Sequence, residues 1–77
     1  MKEFTVLLSS INDVKNFVNV VTKYDYRIDL TSGRYVVDAK SIMGIFSLDL
    51  TKPIKVEAHG EDCTELLTDL APFIQKQ

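Results

Sequence analysis

The chain has 77 residues, enough for one domain over residues 1–77 and too few for a second of typical size. Nine basic against eleven acidic residues give a net charge of −2, and no basic run stands out, which argues against a nucleic-acid partner. There is no apolar stretch near the ~20 residues of a membrane span. The N-terminus lacks the features of a signal peptide, and the single cysteine cannot form an internal disulfide. We therefore expect a cytoplasmic protein that does not bind membranes.

The first two elements are a strand and a helix. Residues 4–8 are rich in β-branched and aromatic side chains and predict a strand. Apolar residues then recur at helical spacing, which predicts an amphipathic helix over residues 11–23. Ser10 is the expected N-cap of this helix, and Asp13 forms a pattern with it that resembles a capping box.

A hairpin is predicted next. Residues 24–30 alternate strictly between apolar and charged side chains, which indicates a half-buried strand. Residues 31–33 contain Thr, Ser and Gly and predict the turn. Residues 34–40 then return as the second arm.

The middle of the chain leaves two interpretations open. Residues 42–48 are mostly apolar and form either a short helix with Ser41 as N-cap or a buried strand; Gly44 suits neither interior well. Residues 54–59 follow the break at Pro53 and alternate again, which predicts a fourth strand.

The last segment predicts a third helix. Its apolar residues recur at helical spacing: Cys63, Leu66, Leu67, Leu70 and Ile74. Glu61 and Asp62 suit its N-terminus, and Pro72 kinks or ends it. The order β-α-β-β-α-β-α predicts an α+β fold, an open-faced β-sandwich with a four-stranded antiparallel sheet and three helices on one face.

Enzymatic and metal sites find little support. His59, the only histidine, is expected to be a solvent-facing strand residue beside a turn, and Cys63 a small core residue. One histidine, one cysteine and scattered carboxylates lack the spacing of metal ligands. Because phosphate-binding loops and nucleophile motifs are also missing, we expect no enzyme, no metal and no cofactor.

The segment K-S-I-M-G-I-F-S-L, residues 40–48, resembles the regulatory-serine segment of the HPr family, the small histidine phosphocarriers of the bacterial sugar phosphotransferase system. Matches at residues 23–25 (K-Y-D) and 58–60 (A-x-G) support this resemblance, which covers nearly the whole chain without a gap between Lys23 and Leu48. It implies the HPr-like open-faced sandwich, with the same element order.

The sequence differs from the resembled family at the family's catalytic motif, G-[IL]-H-A-R-P-A. In an ungapped alignment this motif falls on residues 8–14, so Ser10 stands at the histidine, Asn12 at the arginine and Asp13 at the proline. A serine phosphate ester is a far poorer phosphate donor than a phosphohistidine, and Asp13 would repel an incoming phosphoryl group. The resemblance thus implies a divergent member without carrier activity, similar to the catabolite-repression variant that lacks the histidine and keeps the serine.

Ser41 matches the serine that a dedicated kinase phosphorylates in the resembled family. The resemblance therefore implies a serine kinase and a carbon-regulation transcription factor as partners. Two interpretations stay open: Ser41 only caps a helix, which is worth about 1 kcal/mol, or it also accepts phosphate there, with Lys40 as a nearby cation.

The resemblance also implies that apolar residues after Ser41 contact partner proteins. Ile42 and Met43 match contact positions of the family, and Phe46 is equivalent to another apolar contact. Core packing is the alternative for this segment, with Ile45 and Leu48 as the core pair. Three positions of the first helix are expected alongside: Ile11, Lys15 and Asn19.

These features favour a regulatory or adaptor protein that works by docking. Two other hypotheses stay open: an unorthodox phosphoacceptor that uses Ser10 or His59, and an unrelated interaction module on the same fold. The sequence does not fix the oligomeric state.

Overall fold

The predicted order β-α-β-β-α-β-α is confirmed in a computed structural model, which describes residues 1–74. The strands are β1 (Lys2–Val6), β2 (Ile28–Ser32), β3 (Tyr35–Asp38) and β4 (Ile54–Ala58). The helices are α1 (Ile11–Val21), α2 (Ile42–Phe46) and α3 (Thr64–Asp69). A single domain over residues 1–77 stays a prediction, since residues 75–77 lie outside the described part.

The four strands form one antiparallel sheet in the order β1-β4-β2-β3. Strand alternation gives this sheet a core face and an open face. In β4, for example, Ile54, Val56 and Ala58 are fully buried, while Lys55 lies on the open face and pairs with Glu3 at 3.1 Å. The helices bury their apolar sides in the same core as the sheet, which confirms the predicted fold class.

The first strand and helix differ from the prediction in their ends. β1 spans Lys2–Val6 instead of residues 4–8, because the chain leaves the ladder after Val6 and the Leu7 amide donates instead to the Phe73 carbonyl at 2.8 Å. Leu8 is nevertheless fully buried. The helix predicted over residues 11–23 ends at Val21, with Thr22 as its C-cap.

The hairpin was predicted in the wrong register. β2 begins at Ile28 instead of residue 24 and includes Thr31 and Ser32, which were expected in the turn. The turn lies at Gly33 and Arg34, where Gly33 has a φ of 60°, a value that favours glycine. The second arm, predicted over residues 34–40, is shorter and spans Tyr35–Asp38.

Residues 24–27 form a loop, although their side chains alternate as in a strand. The Lys40 ammonium group donates to the carbonyl oxygens of Tyr24 and Tyr26, at 2.5 and 3.1 Å. The two tyrosine rings lie against each other with centroids 5.7 Å apart. The hydrogen bonds from Lys40 give these two loop carbonyls the partners that a neighbouring strand would otherwise provide.

The later elements resolve the open interpretation. Residues 42–46 are helical, so the helix is confirmed over the buried strand, with Ser41 as its N-cap. α3 is shorter than predicted and ends at Asp69, before Pro72. Ile74 lies beyond α3 and forms an isolated bridge with Val6. At the start of α3, Asp62 accepts a hydrogen bond from the Thr64 amide at 3.0 Å.

Candidate functional site

The N-terminus of α1 contains the first predicted site residue. The Ser10 hydroxyl oxygen accepts from the Asp13 amide at 3.1 Å and caps the helix. The Asp13 carboxylate accepts in return from the amide and the hydroxyl of Ser9, at 3.1 and 3.0 Å. The capping-box-like pair thus forms, with its return bond one residue earlier than usual.

This arrangement sets what Ser10 can do chemically. Its hydroxyl oxygen accepts from the Asp13 amide, and the acidic Asp13 side chain lies in the same turn, unlike at the Ser41 cap, whose first turn has no acidic residue. An arriving phosphoryl group would meet the negative charge of Asp13, which raises the free energy of a phosphorylated state. The geometry therefore suits a structural cap better than a phosphate carrier.

His59 lies far from Ser10. Val6 pairs with Ile54, so the chain runs from β1 toward Ser10 at the end of the sheet where β4 begins. His59 follows the opposite end of β4, and its amide donates to the Arg27 carbonyl at 2.9 Å. The five residues of β4 separate the two ends by roughly 15 Å at the ordinary rise of a strand. The structure does not bring Ser10 and His59 together.

The His59 ring belongs to an ion-pair cluster on the open face of the sheet. Its Nε2 atom lies 3.2 Å from the Asp29 carboxylate, and the Arg27 guanidinium lies 3.0 Å from the same group. Asp29 is only 7% exposed, and Arg27 and His59 are both more exposed than it is. His59 is exposed, as expected, but it follows the end of β4 and is not the strand residue that was predicted, and its main contact is a buried carboxylate.

Ser41 is an exposed cap at the start of α2. Its hydroxyl oxygen accepts from the Gly44 amide at 3.2 Å. The expectation that Lys40 adds a cation near Ser41 was wrong, because the Lys40 ammonium group is held by the carbonyls of Tyr24 and Tyr26. Two unpaired loop carbonyls form a better-defined site for an ammonium group than an uncharged hydroxyl does.

The apolar residues of α2 divide between surface and core. Met43 is 76% exposed and Phe46 is 41% exposed, whereas Ile42 is half-buried and packs against the core. Ile45 and Leu48 are buried, as expected for the core pair. Two of the three predicted contact residues on α2 thus remain available to a partner.

The expected residues of α1 lie on one stripe. Ile11, Lys15 and Asn19 are spaced by four, so they lie one above another on the helix, and all three are exposed. Ile11 is 63% exposed, although it is apolar. α1 and α2 contact each other. We use "α1–α2 surface" for this set of residues: Ile11, Lys15, Asn19, Ile42, Met43 and Phe46.

Sequence reasoning missed a link between the α1–β2 loop and α3. The Tyr24 hydroxyl donates to the Asp69 carboxylate at 2.5 Å. This hydrogen bond, with burial and the negative charges of Asp69 and Glu65, raises the pKa of Tyr24 to about 12. Burial raises the pKa of Tyr26 to about 12 as well. No local signal predicts these contacts, since they join residues far apart in the chain.

Cys63 is buried, as predicted for a small core residue. Within residues 1–74, no three His, Cys, Asp or Glu side chains come together as a metal site. In the same part of the chain, no helix has both the length and the apolar character that crossing a bilayer requires.

Comparison with known proteins identifies the fold and the family. The family model for the PTS HPr component phosphorylation site matches residues 12–76, a span that starts two positions after Ser10. The crystal structure of HPr-C-His from Thermoanaerobacter tengcongensis is similar, with a TM-score of 0.78 and 30% identity, over 94% of this chain and 89% of that chain. The phosphocarrier protein HPr from Bacillus anthracis str. Ames is also similar, with a TM-score of 0.74 and 28% identity, over 96% of both chains.

The comparison with curated proteins gives no match. The family model nevertheless spans most of the chain, and the two solved structures share its fold over almost their full lengths. Members of this family are phosphocarrier proteins and are not themselves enzymes. This chain belongs to the HPr family of the bacterial sugar phosphotransferase system.

Proposed function

We propose that this HPr-family protein is a regulator or adaptor that docks on partner proteins and does not carry phosphate on a histidine. One observation supports this most directly. Ser10, at the position expected for the family's histidine, caps α1 beside Asp13, while His59 lies at the other end of β4 in contact with Asp29. A carrier needs an accessible imidazole at the docking site, and His59 lies at the wrong end of the sheet for the α1 N-terminus.

Ser41 is the proposed phosphorylation site. It is exposed, and its hydroxyl already lies within hydrogen-bond reach of the Gly44 amide. A phosphate on this oxygen would bring additional acceptors and about two negative charges to the same position. Because Lys40 is engaged elsewhere, this charge would be directed mainly to solvent, where a partner with basic side chains can contact it.

Docking is proposed to use the α1–α2 surface. Met43, Phe46 and Ile11 are three large apolar side chains that are each at least 41% exposed, on two helices in contact. Exposed apolar side chains close together are typical of interaction sites, and methionine adapts well to partner surfaces. Ser41 immediately precedes α2, so its modification would change the charge at the edge of this surface.

A serine kinase and a carbon-regulation transcription factor are the proposed partners, and the cytoplasm is the proposed location. Both follow from family membership together with the Ser41 segment. A phosphoacceptor that uses Ser10 or His59 remains the second candidate. The observation in its favour is the contact between Asp29 and His59, because a carboxylate that orients an imidazole is common in sites that use histidine chemically.

Phosphorylation of Ser41 can be tested by intact-mass analysis after incubation with ATP and the serine kinase. We expect the mass of one phosphate, which is lost in Ser41→Ala and kept in Ser47→Ala. Ser47 is a matched control, because it is an exposed serine that flanks the other end of α2. Absence of any gain, or a gain that persists in Ser41→Ala, would contradict the proposed site.

Docking can be tested separately with the transcription factor by calorimetry. Met43→Ala and Phe46→Ala should each weaken binding of the phosphorylated protein by about tenfold or more, as expected for exposed anchors at an interface. Val36→Ala, which removes an exposed apolar side chain from β3, is the control and should leave affinity unchanged. Equal losses from all three variants would refute the assigned surface.

A further inference from the structure

One edge of the sheet carries large apolar side chains. β3 pairs with β2 on one side only, so its other side is the free edge. Tyr35 is 70% exposed and Val36 is 59% exposed. Edge strands are usually protected by an inward-pointing charge, a proline or a bulge, because unprotected edges pair with other strands. β3 has no proline or bulge, and its only protecting features are its four-residue length and the charge of Asp38.

The backbone of Val36 points to this free edge. Ser32 and Tyr35 close a hairpin with a two-residue loop, so they form a hydrogen-bonded pair. Because such pairs alternate along an antiparallel ladder, Leu30 and Val37 form the next one, and the backbone groups of Val36 face away from β2. Val36 therefore presents an N–H donor and a C=O acceptor to a further strand.

The charges beside Val36 are arranged symmetrically. Arg34 lies two residues before Val36 and Asp38 two residues after it. Both are exposed, and neither takes part in an ion pair among residues 1–74. Strand alternation places Val36 and Asp38 on the open face of the sheet, and Arg34, a turn residue, directly precedes the strand.

We propose that β3 pairs antiparallel with β3 of a second copy of this chain, about a two-fold axis at Val36. In this register the Val36 residues of the two copies exchange both backbone hydrogen bonds. Arg34 of each copy then lies opposite Asp38 of the other, so the interface contains two opposite-charge pairs. A one-residue shift of the register would remove both pairs and also move the side chains to the wrong faces.

The core-facing side of β3 fits the same register. Tyr35 of each copy lies opposite Val37 of the other, and aromatic residues pair favourably with β-branched residues across strands. The result is a continuous eight-stranded sheet with one hydrophobic pair on the axis. A second copy is the occupant that this pattern specifies, because a self-complementary surface is what a two-fold dimer requires.

The dimer is expected to be weak. One strand of four residues covers less than the ~1,200 Å² of total surface buried in stable interfaces. A dissociation constant of roughly 0.1–1 mM follows for an interface of this kind. The α1–α2 surface is not required for this pairing, so dimerisation and regulator docking can succeed or fail independently.

Charge reversal provides the test. In Arg34→Asp the two flanking positions are both acidic, and in Asp38→Arg they are both basic, so each variant should repel itself in the proposed register. When the two variants are mixed in equal amounts, every acidic position faces a basic one, and a heterodimer should form. Sedimentation velocity measures both the loss of self-association and the formation of the heterodimer. The protein concentration is varied between 0.05 and 2 mM, on the order of the expected dissociation constant.

The matched control is the pair Lys23→Asp and Asp25→Arg, which changes the net charge by the same amounts at exposed positions outside the sheet. We expect the controls to dimerise like the unmodified protein, alone and mixed. Each β3 variant alone should be at least tenfold weaker than the unmodified protein, and their mixture should regain dimers. A protein that stays monomeric to 2 mM, a dimer that Arg34→Asp does not weaken, or a mixture without heterodimer would each overturn the proposal.

A second measurement covers the possibility that a variant loses stability. The Val36 amide of the unmodified protein should show a chemical-shift change and slower hydrogen exchange as concentration rises, because it becomes a donor in the new ladder. The Val37 amide, which already faces β2, should be unaffected. Equal behaviour of the two amides would refute the register without any substitution.

Discussion

Gly60→Ala is expected to destabilise the protein through one specific contact. A Cβ atom at position 60 would lie 2.6 Å from the Cδ2 and Cε2 atoms of the Tyr26 ring and 2.8 Å from its Cγ atom. Ordinary contacts of a Cβ atom begin at about 3.4 Å, so the ring must move by close to 1 Å. Because the overlap includes Cγ, a rotation of the ring alone cannot remove it.

The Tyr26 ring has little freedom to move. It lies against Tyr24, with centroids 5.7 Å apart, and Lys40 holds its backbone carbonyl at 3.1 Å. Overpacking of this kind costs about 1–3 kcal/mol of unfolding free energy. For a domain of this size, each kcal/mol lowers the midpoint of thermal unfolding by roughly 4–8 °C.

Urea denaturation of four proteins measures the interaction: the unmodified protein, Gly60→Ala, Tyr26→Ala and the double variant. We expect Gly60→Ala to cost about 1–3 kcal/mol in the unmodified background and less than about 0.5 kcal/mol when Tyr26 is already alanine, since the ring that causes the overlap is then absent. A neutral Gly60→Ala in the unmodified protein would show that the Tyr26 ring can move away at no cost, so the proposed overlap fails. It also fails if the cost is the same in both backgrounds.

Three further predictions concern Ser41, Tyr24 and Ser10. Ser41→Ala should lower the free energy of unfolding by about 1 kcal/mol in urea denaturation, because the Gly44 amide loses its acceptor; an unchanged midpoint would contradict this cap. The pKa of Tyr24 is raised from 10.0 to about 12 in the folded state. The contribution of Tyr24 to the free energy of unfolding should therefore be fully present below pH 10 and decrease as the pH rises toward 12. Tyr24→Phe should make this decrease of the unfolding free energy shallower. Ser10→His alone should not give efficient phosphate transfer from phosphoenolpyruvate, since Asp13 still repels the phosphate; rapid transfer would show that this charge matters little.

The features of the fold that depend on neighbours in sequence were predictable. Ser10 and Ser41 were both predicted as N-caps, and each accepts a hydrogen bond from the amide three residues later. The strict alternation of residues 54–59 predicted β4 to within one residue of its observed end, because its two faces differ sharply in environment. These signals are local and need no knowledge of the rest of the chain.

The features that depend on distant contacts were not predictable. Residues 24–27 alternate like a strand, yet Lys40, more than a dozen residues away, holds their carbonyls in a loop. The same long-range contact removed the cation that had been expected near Ser41. The division of α2 into exposed Met43 and half-buried Ile42 depends on how the helix is rotated against the core, and a five-residue helix is too short for its periodicity to fix that rotation.

We propose that this HPr-family protein does not carry phosphate on a histidine. The most direct test is intact-mass analysis after incubation with phosphoenolpyruvate and the first enzyme of the phosphotransferase system. The phosphocarrier protein HPr from Bacillus anthracis str. Ames serves as the positive control and should gain one phosphate. We predict no gain for this protein. The mass of one phosphate, lost in His59→Gln or in Ser10→Ala, would contradict the claim and identify the residue that accepts it.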